Sequence, residues 1–297
     1  MMPTLTRILV GLATPMFLTP GGSAQVIYST GFEPPAFTPG PILSQQGWGV
    51  LQWGDAMIDV VAGGAASGSH SLRVDATGTT PQESSAIGVE TLHAPSAATP
   101  VVRIAWRAKM VPGGGQGWFG LMLASGSGST PTGPWATISL SVSGRVWYTS
   151  ESHALVASSL FTAQNQWHQF EVYGDFAARK YHVYVNGAPV VLGAPFASSA
   201  DSDMYGVLAW MLPTTASTSH SLLDEISVDA LPASAACYVN CDQSTMSPVL
   251  NVADFTCFLQ RFAAGHGYAN CDMSTAAPTL NVADFTCFLQ RFAQGCN

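Results

Sequence analysis

The residues best suited to chemistry lie in a duplicated segment near the C-terminus. Residues 250–263 and 280–293 are the same sequence, LNVADFTCFLQRFA. The loop before each copy carries hard oxygen donors of the kind that calcium prefers, namely Asp242, Ser244, Asn251 and Asp254, then Asp272, Ser274, Asn281 and Asp284. A metal-free alternative is that Asn251 is a helix N-cap and Asp254 its capping-box partner. The aspartate and serine spaced two apart upstream, repeated in both copies, favour calcium.

All six cysteines lie in or beside the same duplicated segment. Clustered cysteines in a small exported module indicate a disulfide framework, and their spacing does not match the Cys-x2-Cys or paired-His patterns of a zinc site. Cys257 follows Asp254 by three residues and therefore lies on the helix face that looks back at the loop containing Cys241. We expect three pairs: Cys241 with Cys257, Cys271 with Cys287, and Cys237 with Cys296 at the two ends of the module.

Each copy also predicts a short amphipathic helix. The apolar residues at helical spacing are Val252, Phe255, Leu259 and Phe262, repeated as Val282, Phe285, Leu289 and Phe292. A stripe of this kind needs a partner surface, which the other copy supplies.

On these residues the segment from Cys237 to Asn297 resembles a dockerin of the cysteine-containing, GC-type group. The resemblance implies two calcium loop-helix repeats, each ending on an Asn and Asp three apart, and a cohesin-like receptor as partner. The positions that choose the partner correspond to Val252, Ala253, Val282 and Ala283. Because these are apolar, another surface receptor or self-association stays open. The loops depart from the common pattern by an extra residue before Leu250 and by Ser244 as a ligand.

Residues 26–231 alternate apolar and polar side chains in short runs separated by turn residues, which predicts an all-β domain of two packed antiparallel sheets. In the clearest hairpin, Asp175 pairs with Lys180 and Tyr173 with His182. One face of this hairpin carries Glu171, Tyr173, His182 and Tyr184. Aromatic rings with hydrogen-bonding neighbours suit sugar binding, although a plain solvated face fits as well. Trp118 and Trp135 adjoin glycine-rich loops and are further candidates, or else structural core residues.

This region resembles concanavalin A-like jelly rolls of the laminin G-like group, in Gly31–Glu33, residues 167–187 and the strand that contains residues 224–228. The resemblance implies a calcium held by Glu33 and Asp224. The alternative is that both are surface carboxylates. A jelly-roll lyase or glycoside hydrolase is the rival function, but no carboxylate pair has the spacing of a retaining glycosidase, so no catalytic residue is assigned.

Composition narrows the function further. The 297 residues carry a net charge of −8, which provides no basic surface for nucleic acid. We predict an export signal over 1–24, a sandwich over 25–231, a linker over 232–236 and the dockerin-like module over 237–297, with no membrane-spanning segment in the mature chain. The expected protein is secreted, free or held at a cell surface, and assists polysaccharide binding or degradation. An enzyme and a structural or adhesive protein are the alternatives.

Overall fold

The computed structural model describes residues 24–52, 57–75, 85–127, 130–197, 202–213, 215 and 217–296. The predicted export signal lies outside the described residues except for Ala24. The strands are β1 (Gln25–Thr30), β2 (Gly40–Pro41), β3 (Trp48–Gln52), β4 (Met57–Ala62), β5 (His70–Asp75), β6 (Ser85–His93), β7 (Val101–Val111), β8 (Gly117–Ser127), β9 (Thr130–Ser141), β10 (Arg145–Thr149), β11 (Leu155–Phe161), β12 (His168–Asp175), β13 (Lys180–Val185), β14 (Ala188–Pro195), β15 (Asp203–Pro213) and β16 (His220–Leu231).

These strands form two packed antiparallel sheets. The first sheet has the order β14-β13-β12-β7-β16-β5-β4-β2, with β1 also paired to β16. The second has the order β11-β10-β9-β8-β15-β6-β3. The predicted fold class, a mainly antiparallel β-sandwich followed by a small helical domain, is confirmed.

Alternation along the strands separates the core from the outer faces. In β12 buried and partly exposed residues alternate without interruption, as the period of two in a strand requires. The predicted hairpin register is confirmed, with Asp175 opposite Lys180 and Tyr173 opposite His182. The core lies between the sheets, so β12 and β13 keep their polar alternates for the outer face of the first sheet.

Trp135 belongs to this core and is fully buried. Its ring centroid lies 4.8 Å from that of Phe196 and 5.6 Å from that of Phe176. Gly174 faces the same ring, and a methyl group there would lie 2.6 Å from it, so the close packing requires glycine. The alternative of Trp135 as an exposed binding residue is therefore wrong.

The C-terminal module contains two α-helices, α1 (Val252–Ala263) and α2 (Val282–Gln294), and two short 3-10 helices, η1 (Ala233–Ala236) and η2 (Gly267–Ala269). Phe258 and Phe288 stack with ring centroids 4.0 Å apart, so the two helices pack on each other as predicted. The predicted stripe is corrected at two positions of each helix. Val252 and Leu259, with Val282 and Leu289, are exposed, because the contact runs through Phe255, Phe258 and Phe262 instead.

All three predicted disulfides are present: Cys237–Cys296, Cys241–Cys257 and Cys271–Cys287. The predicted linker forms η1 and packs against β7 and β12 of the first sheet. In the part of the chain that the structure describes, no helix is long and apolar enough to cross a membrane.

Candidate functional site

The four residues predicted to bind sugar share one face of the β12–β13 hairpin, but the C-terminal module covers that face. Tyr184 is only 9% exposed and packs with Tyr238 and Tyr268 of the module. Tyr173 contacts the same cluster, and its ring lies edge-on to that of Tyr184 at 5.7 Å. The structure therefore corrects the prediction of one open sugar-binding face at Glu171, Tyr173, His182 and Tyr184. The module covers Tyr173 and Tyr184, whereas His182 lines a cleft beside the module. Alternation shows which side chains leave the sheet, not what packs on them.

The other two residues, Glu171 and His182, are held by polar contacts with the sandwich. The guanidinium of Arg103 lies 2.6 Å from the Glu171 carboxylate and 3.1 Å from that of Asp229. His182 accepts the backbone N–H of Gly193 at Nδ1. Burial, with the nearby charges of Arg291 and Lys180, lowers the pKa of His182 to about 4. The ring is therefore neutral at pH 7, with its proton on Nε2.

The same burial removes the site that a lyase would need. Desolvation raises the pKa of Tyr173 to about 12 and that of Tyr184 well above 10.0. Neither phenol is a ready base near neutral pH, and the module packs against both rings. The enzyme alternative therefore has no support at this face.

An accessible aromatic site lies on the outer side of the second sheet. Trp118 of β8 and Trp147 of β10 meet edge to face, with ring centroids 5.5 Å apart and planes at 79°. The Arg145 guanidinium lies 5.9 Å from the Trp147 ring and 5.3 Å from that of Phe161, which is 57% exposed. With Gln116, Gln164 and the glycine-rich turn 113–117, these side chains line a cleft of about 580 Å³. We call it the tryptophan cleft.

Two buried hydrogen-bond donors lie behind the rings of the tryptophan cleft. The indole N–H groups of Trp118 and Trp147 are buried, and neither has an acceptor among the described residues. A buried donor without an acceptor costs about 1–3 kcal/mol, so a side-chain shift that opened either indole N–H to a ligand hydroxyl would recover that cost. Arg145 is held in place because its Nε donates to the Ser158 carbonyl at 2.8 Å.

Glycines leave the outer face beside this cleft without side chains at two positions. A methyl group at Gly120 would lie 2.0 Å from the carbonyl oxygen of Ile138, and one at Gly206 would lie 2.6 Å from that of Val89. The strands approach each other closely at these points and carry no side chain there. Trp118 packs against the neighbouring apolar cluster, which includes Leu208 and Trp210. Glycines within strands were therefore a signal for this face.

The predicted metal loops fold as helix caps. In the first copy, Asn251 accepts the N–H of Ala253, and Asp254 accepts the N–H groups of Asn251 at 2.9 Å and Asp242 at 3.2 Å. The second copy repeats this arrangement with Asn281 and Asp284. The capping-box alternative is confirmed in both helices. It leaves lone pairs on each carboxylate, so capping and a cation are compatible.

The sequence interpretation passed over one residue of each loop. Asn240 is 4% exposed, and its amide nitrogen donates to the Ser244 carbonyl at 2.9 Å. Its amide oxygen is buried with no donor among the described residues, and the same holds for Asn270. The repeated Asn-Cys-Asp that opens each loop was the available signal.

The remaining loop donors also suit a hard cation. Burial raises the pKa of Asp254, and so do a hydrogen bond to Asp242 and repulsion from the Asp242 carboxylate. In the second loop, burial and Asp272 raise the pKa of Asp284 in the same way. Two like charges are therefore held together in each loop. In the described ranges no three His, Cys, Asp or Glu side chains come together as a metal site. A cation here would thus also need amide, hydroxyl or carbonyl oxygens, and Asn240, Asn270, Ser244 and Ser274 supply such donors.

Glu33 and Asp224 bind the loop that joins β4 to β5. Glu33 accepts two backbone N–H groups and one hydroxyl, from Ser69 and His70. Asp224 accepts three backbone N–H groups, those of Ala66, Ser67 and Glu225. The surface-carboxylate alternative is wrong for Asp224, which is fully buried because β16 is an interior strand. The structure shows both carboxylates as loop anchors, and calcium between them stays a prediction.

The four predicted partner-binding residues are all exposed. Val252 is 78% and Val282 77% exposed at the first turns of α1 and α2, and Ala253 and Ala283 beside them are exposed too. Isolated valines on a surface are unremarkable. Here, however, two exposed valines occupy equivalent positions of a duplicated helix. Their role in binding a partner stays a prediction.

Comparison with known proteins finds weak structural similarity. No protein-family model matches the sequence, and no curated protein matches it. The CBM22-1 xylan-binding domain of Paenibacillus barcinonensis Xyn10C is 17% identical, with a TM-score of 0.37, over 71% of this chain and 97% of that one. The cellulose induced protein Cip1 is 16% identical, with a TM-score of 0.48, over 68% and 96%. A carbohydrate esterase of bacteriophage phi24B is 13% identical, with a TM-score of 0.46, over 70% and 100%.

Proposed function

We propose that the sandwich binds a polysaccharide at the tryptophan cleft. The observation that carries this proposal is the Trp118–Trp147 pair, whose partly exposed rings line the cleft and whose buried indole N–H groups lack acceptors. Sugar rings present C–H faces that pack on aromatic rings and hydroxyls that hydrogen-bond to donors. Gln116, Gln164 and Arg145 add polar groups around the rings. The volume of the cleft lies within the about 300–1,000 Å³ of small-ligand sites, enough for a short stretch of chain.

The test is depletion of the purified protein by a panel of insoluble and gel-embedded polysaccharides, with the supernatants assayed for new sugar ends. Trp118→Ala and Trp147→Ala should each weaken binding at least tenfold, about 1.4 kcal/mol. Trp167→Ala is the matched control, because Trp167 lies outside the cleft, beneath the ammonium group of Lys109. All three variants are compared after their melting temperatures confirm folding.

Two results would contradict this proposal. Binding that survives both cleft substitutions would place the sugar elsewhere, and depletion by none of the polysaccharides would favour a structural or adhesive protein. New sugar ends would favour the enzyme alternative instead.

We also propose that the C-terminal module is a dockerin-like anchor whose two loops bind calcium. Asn240 and Asn270, with their unsatisfied buried oxygens, support this together with the close carboxylates in each loop. Val252 and Val282 are the exposed apolar contacts for a cohesin-like or other surface receptor. The three disulfides fit an extracellular protein.

Asp242→Asn separates calcium binding from capping. Without calcium the variant should be at least as stable as the parent, because the substitution removes repulsion from Asp254 and keeps the oxygen that accepts the Ser244 N–H. With calcium at 100 times its Kd the parent should gain about 2.7 kcal/mol, and the variant less. Thermal unfolding with calcium, with magnesium and with chelator measures both effects. A parent protein indifferent to calcium would leave only the caps.

A further inference from the structure

A second cleft, of about 460 Å³, lies at the junction between the sandwich and the C-terminal module. The sandwich contributes Lys180, His182 and Gly193 to its lining. The module contributes Arg291 and the Cys237–Cys296 disulfide. We call this the junction cleft. It is distinct from the tryptophan cleft, which lies on the other sheet.

Cationic side chains dominate the charge of the junction cleft. Its lining contains Lys180 and Arg291 against one carboxylate, Asp175. That carboxylate accepts the N–H groups of Ala177 and Ala178, which partly neutralises it. An excess of positive charge is unusual in a chain whose net charge is −8. The cleft therefore attracts anions that most of the surface repels.

Arg291 differs from its counterpart in the first repeat. Arg261 holds its guanidinium 4.3 Å from the centre of the Tyr268 ring and donates to the Cys241 carbonyl. Arg291 occupies the identical position of a helix with the same sequence, yet its guanidinium makes no ion pair, hydrogen bond or ring contact with the described residues. Arg291 lines the cleft beside the sandwich, and its charge helps to lower the pKa of His182.

His182 supplies a third donor of fixed direction. Its Nδ1 accepts the Gly193 N–H at 3.2 Å, so the neutral ring carries its proton on Nε2. Among the described residues, the hydrogen bond at Nδ1 is the one that the structure shows for this ring, and Nε2 is left for a ligand. The junction cleft thus combines an ammonium, a guanidinium and an imidazole N–H, which are groups that bind the oxygens of carboxylates and sulfates.

We propose that the junction cleft binds an oxyanion carried on a sugar, either the carboxylate of a uronic acid or a sulfate ester. The sugar part of this proposal rests on the polysaccharide binding proposed above, and the oxyanion part rests on the cleft alone. The cleft is composed of both domains, so an acidic sugar bound there would contact the sandwich and the module together.

Titration calorimetry on the full chain tests this proposal with four probes: inorganic sulfate, a galacturonate trisaccharide, a sulfated galactose disaccharide and a neutral galactose trisaccharide. At least one acidic sugar should bind, and the neutral one should bind at least tenfold more weakly. Arg291→Gln and Lys180→Gln should each weaken acidic-sugar binding at least tenfold. Lys109→Gln removes the same charge elsewhere and should change it less than twofold. The tighter of the two acidic sugars identifies the source of the oxyanion.

Three results would overturn the proposal: no binding of either acidic sugar, equal binding of the neutral sugar, or indifference to both substitutions at the cleft. Binding of inorganic sulfate alone, lost in Arg291→Gln, would retain the oxyanion site and refute the sugar. Trp118→Ala is included because it damages the tryptophan cleft only. If it leaves acidic-sugar binding intact while polysaccharide binding is lost, the two sites are separate, and failure of one is distinguishable from failure of the other.

Discussion

The contact between Gly267 and Ala188 gives a sharp test of whether the C-terminal module is fixed to the sandwich. Gly267 begins η2 in the module, and Ala188 begins β14 in the first sheet. A methyl group added at Gly267 would lie 2.8 Å from the Ala188 Cβ, well inside van der Waals contact. The backbone of Gly267 lies outside the left-handed region, so alanine there brings no backbone strain. The clash across the junction is the principal new interaction.

The size of the effect follows from that overlap. Overpacking a well-packed contact by one methyl group costs about 1–3 kcal/mol, so Gly267→Ala should lower the free energy of unfolding of the module by that amount. Ala188→Gly removes the opposing methyl and leaves the Ala188 Cα 3.4 Å from the new one. The double variant should therefore recover most of the lost free energy of unfolding. The part not recovered is the cost of glycine in a strand, about 0.5–1 kcal/mol.

Urea unfolding of the full chain measures this cycle with two probes. The described tryptophans lie in the sandwich and the described α-helices in the module, so fluorescence reports the first and helical circular dichroism the second. Two variants that act through one contact should show a coupling energy of about 0.5–3 kcal/mol. A neutral Gly267→Ala, or a loss that Ala188→Gly fails to restore, would refute a packed junction and leave the module tethered only by its linker.

Two further predictions concern stability. The pKa of Glu33 is lowered from 4.5 to about 2, first by the backbone N–H of His70 and then by Ser69. The contribution of Glu33 to the free energy of unfolding is therefore complete above pH 4.5 and is lost as the pH falls toward 2. Urea unfolding across that range should show that Glu33→Gln loses less stability on acidification than the parent protein. Removal of both Cys237 and Cys296 opens a loop with a sequence separation of 59, against 16 for either short disulfide. The chain-entropy cost should be about 4 kcal/mol against about 3. Helical circular dichroism in urea would contradict this if the order were reversed.

Sequence patterns predicted the features that depend on residues close together in the chain. The β12–β13 register followed from alternation around a turn, and the disulfides followed from the repeat and its helical spacing. The Trp118–Trp147 pair was beyond such reasoning, because these residues lie on β8 and β10, with β9 between them, and meet only across the folded sheet. The prediction of an open face at Tyr184 was wrong for a related reason. Periodicity distinguishes the two faces of a strand, but burial of the outer one depends on a separate domain 50 or more residues away.

The positions of the two domains impose one condition on the proposed function. The module packs on the outer face of the first sheet, and the tryptophan cleft opens on the outer side of the second. The outer faces of two packed sheets point in opposite directions. A polysaccharide at the tryptophan cleft and a receptor on the exposed valines of the module therefore need not compete for space. An acidic sugar at the junction cleft would instead contact both domains, and its binding would depend on their remaining packed.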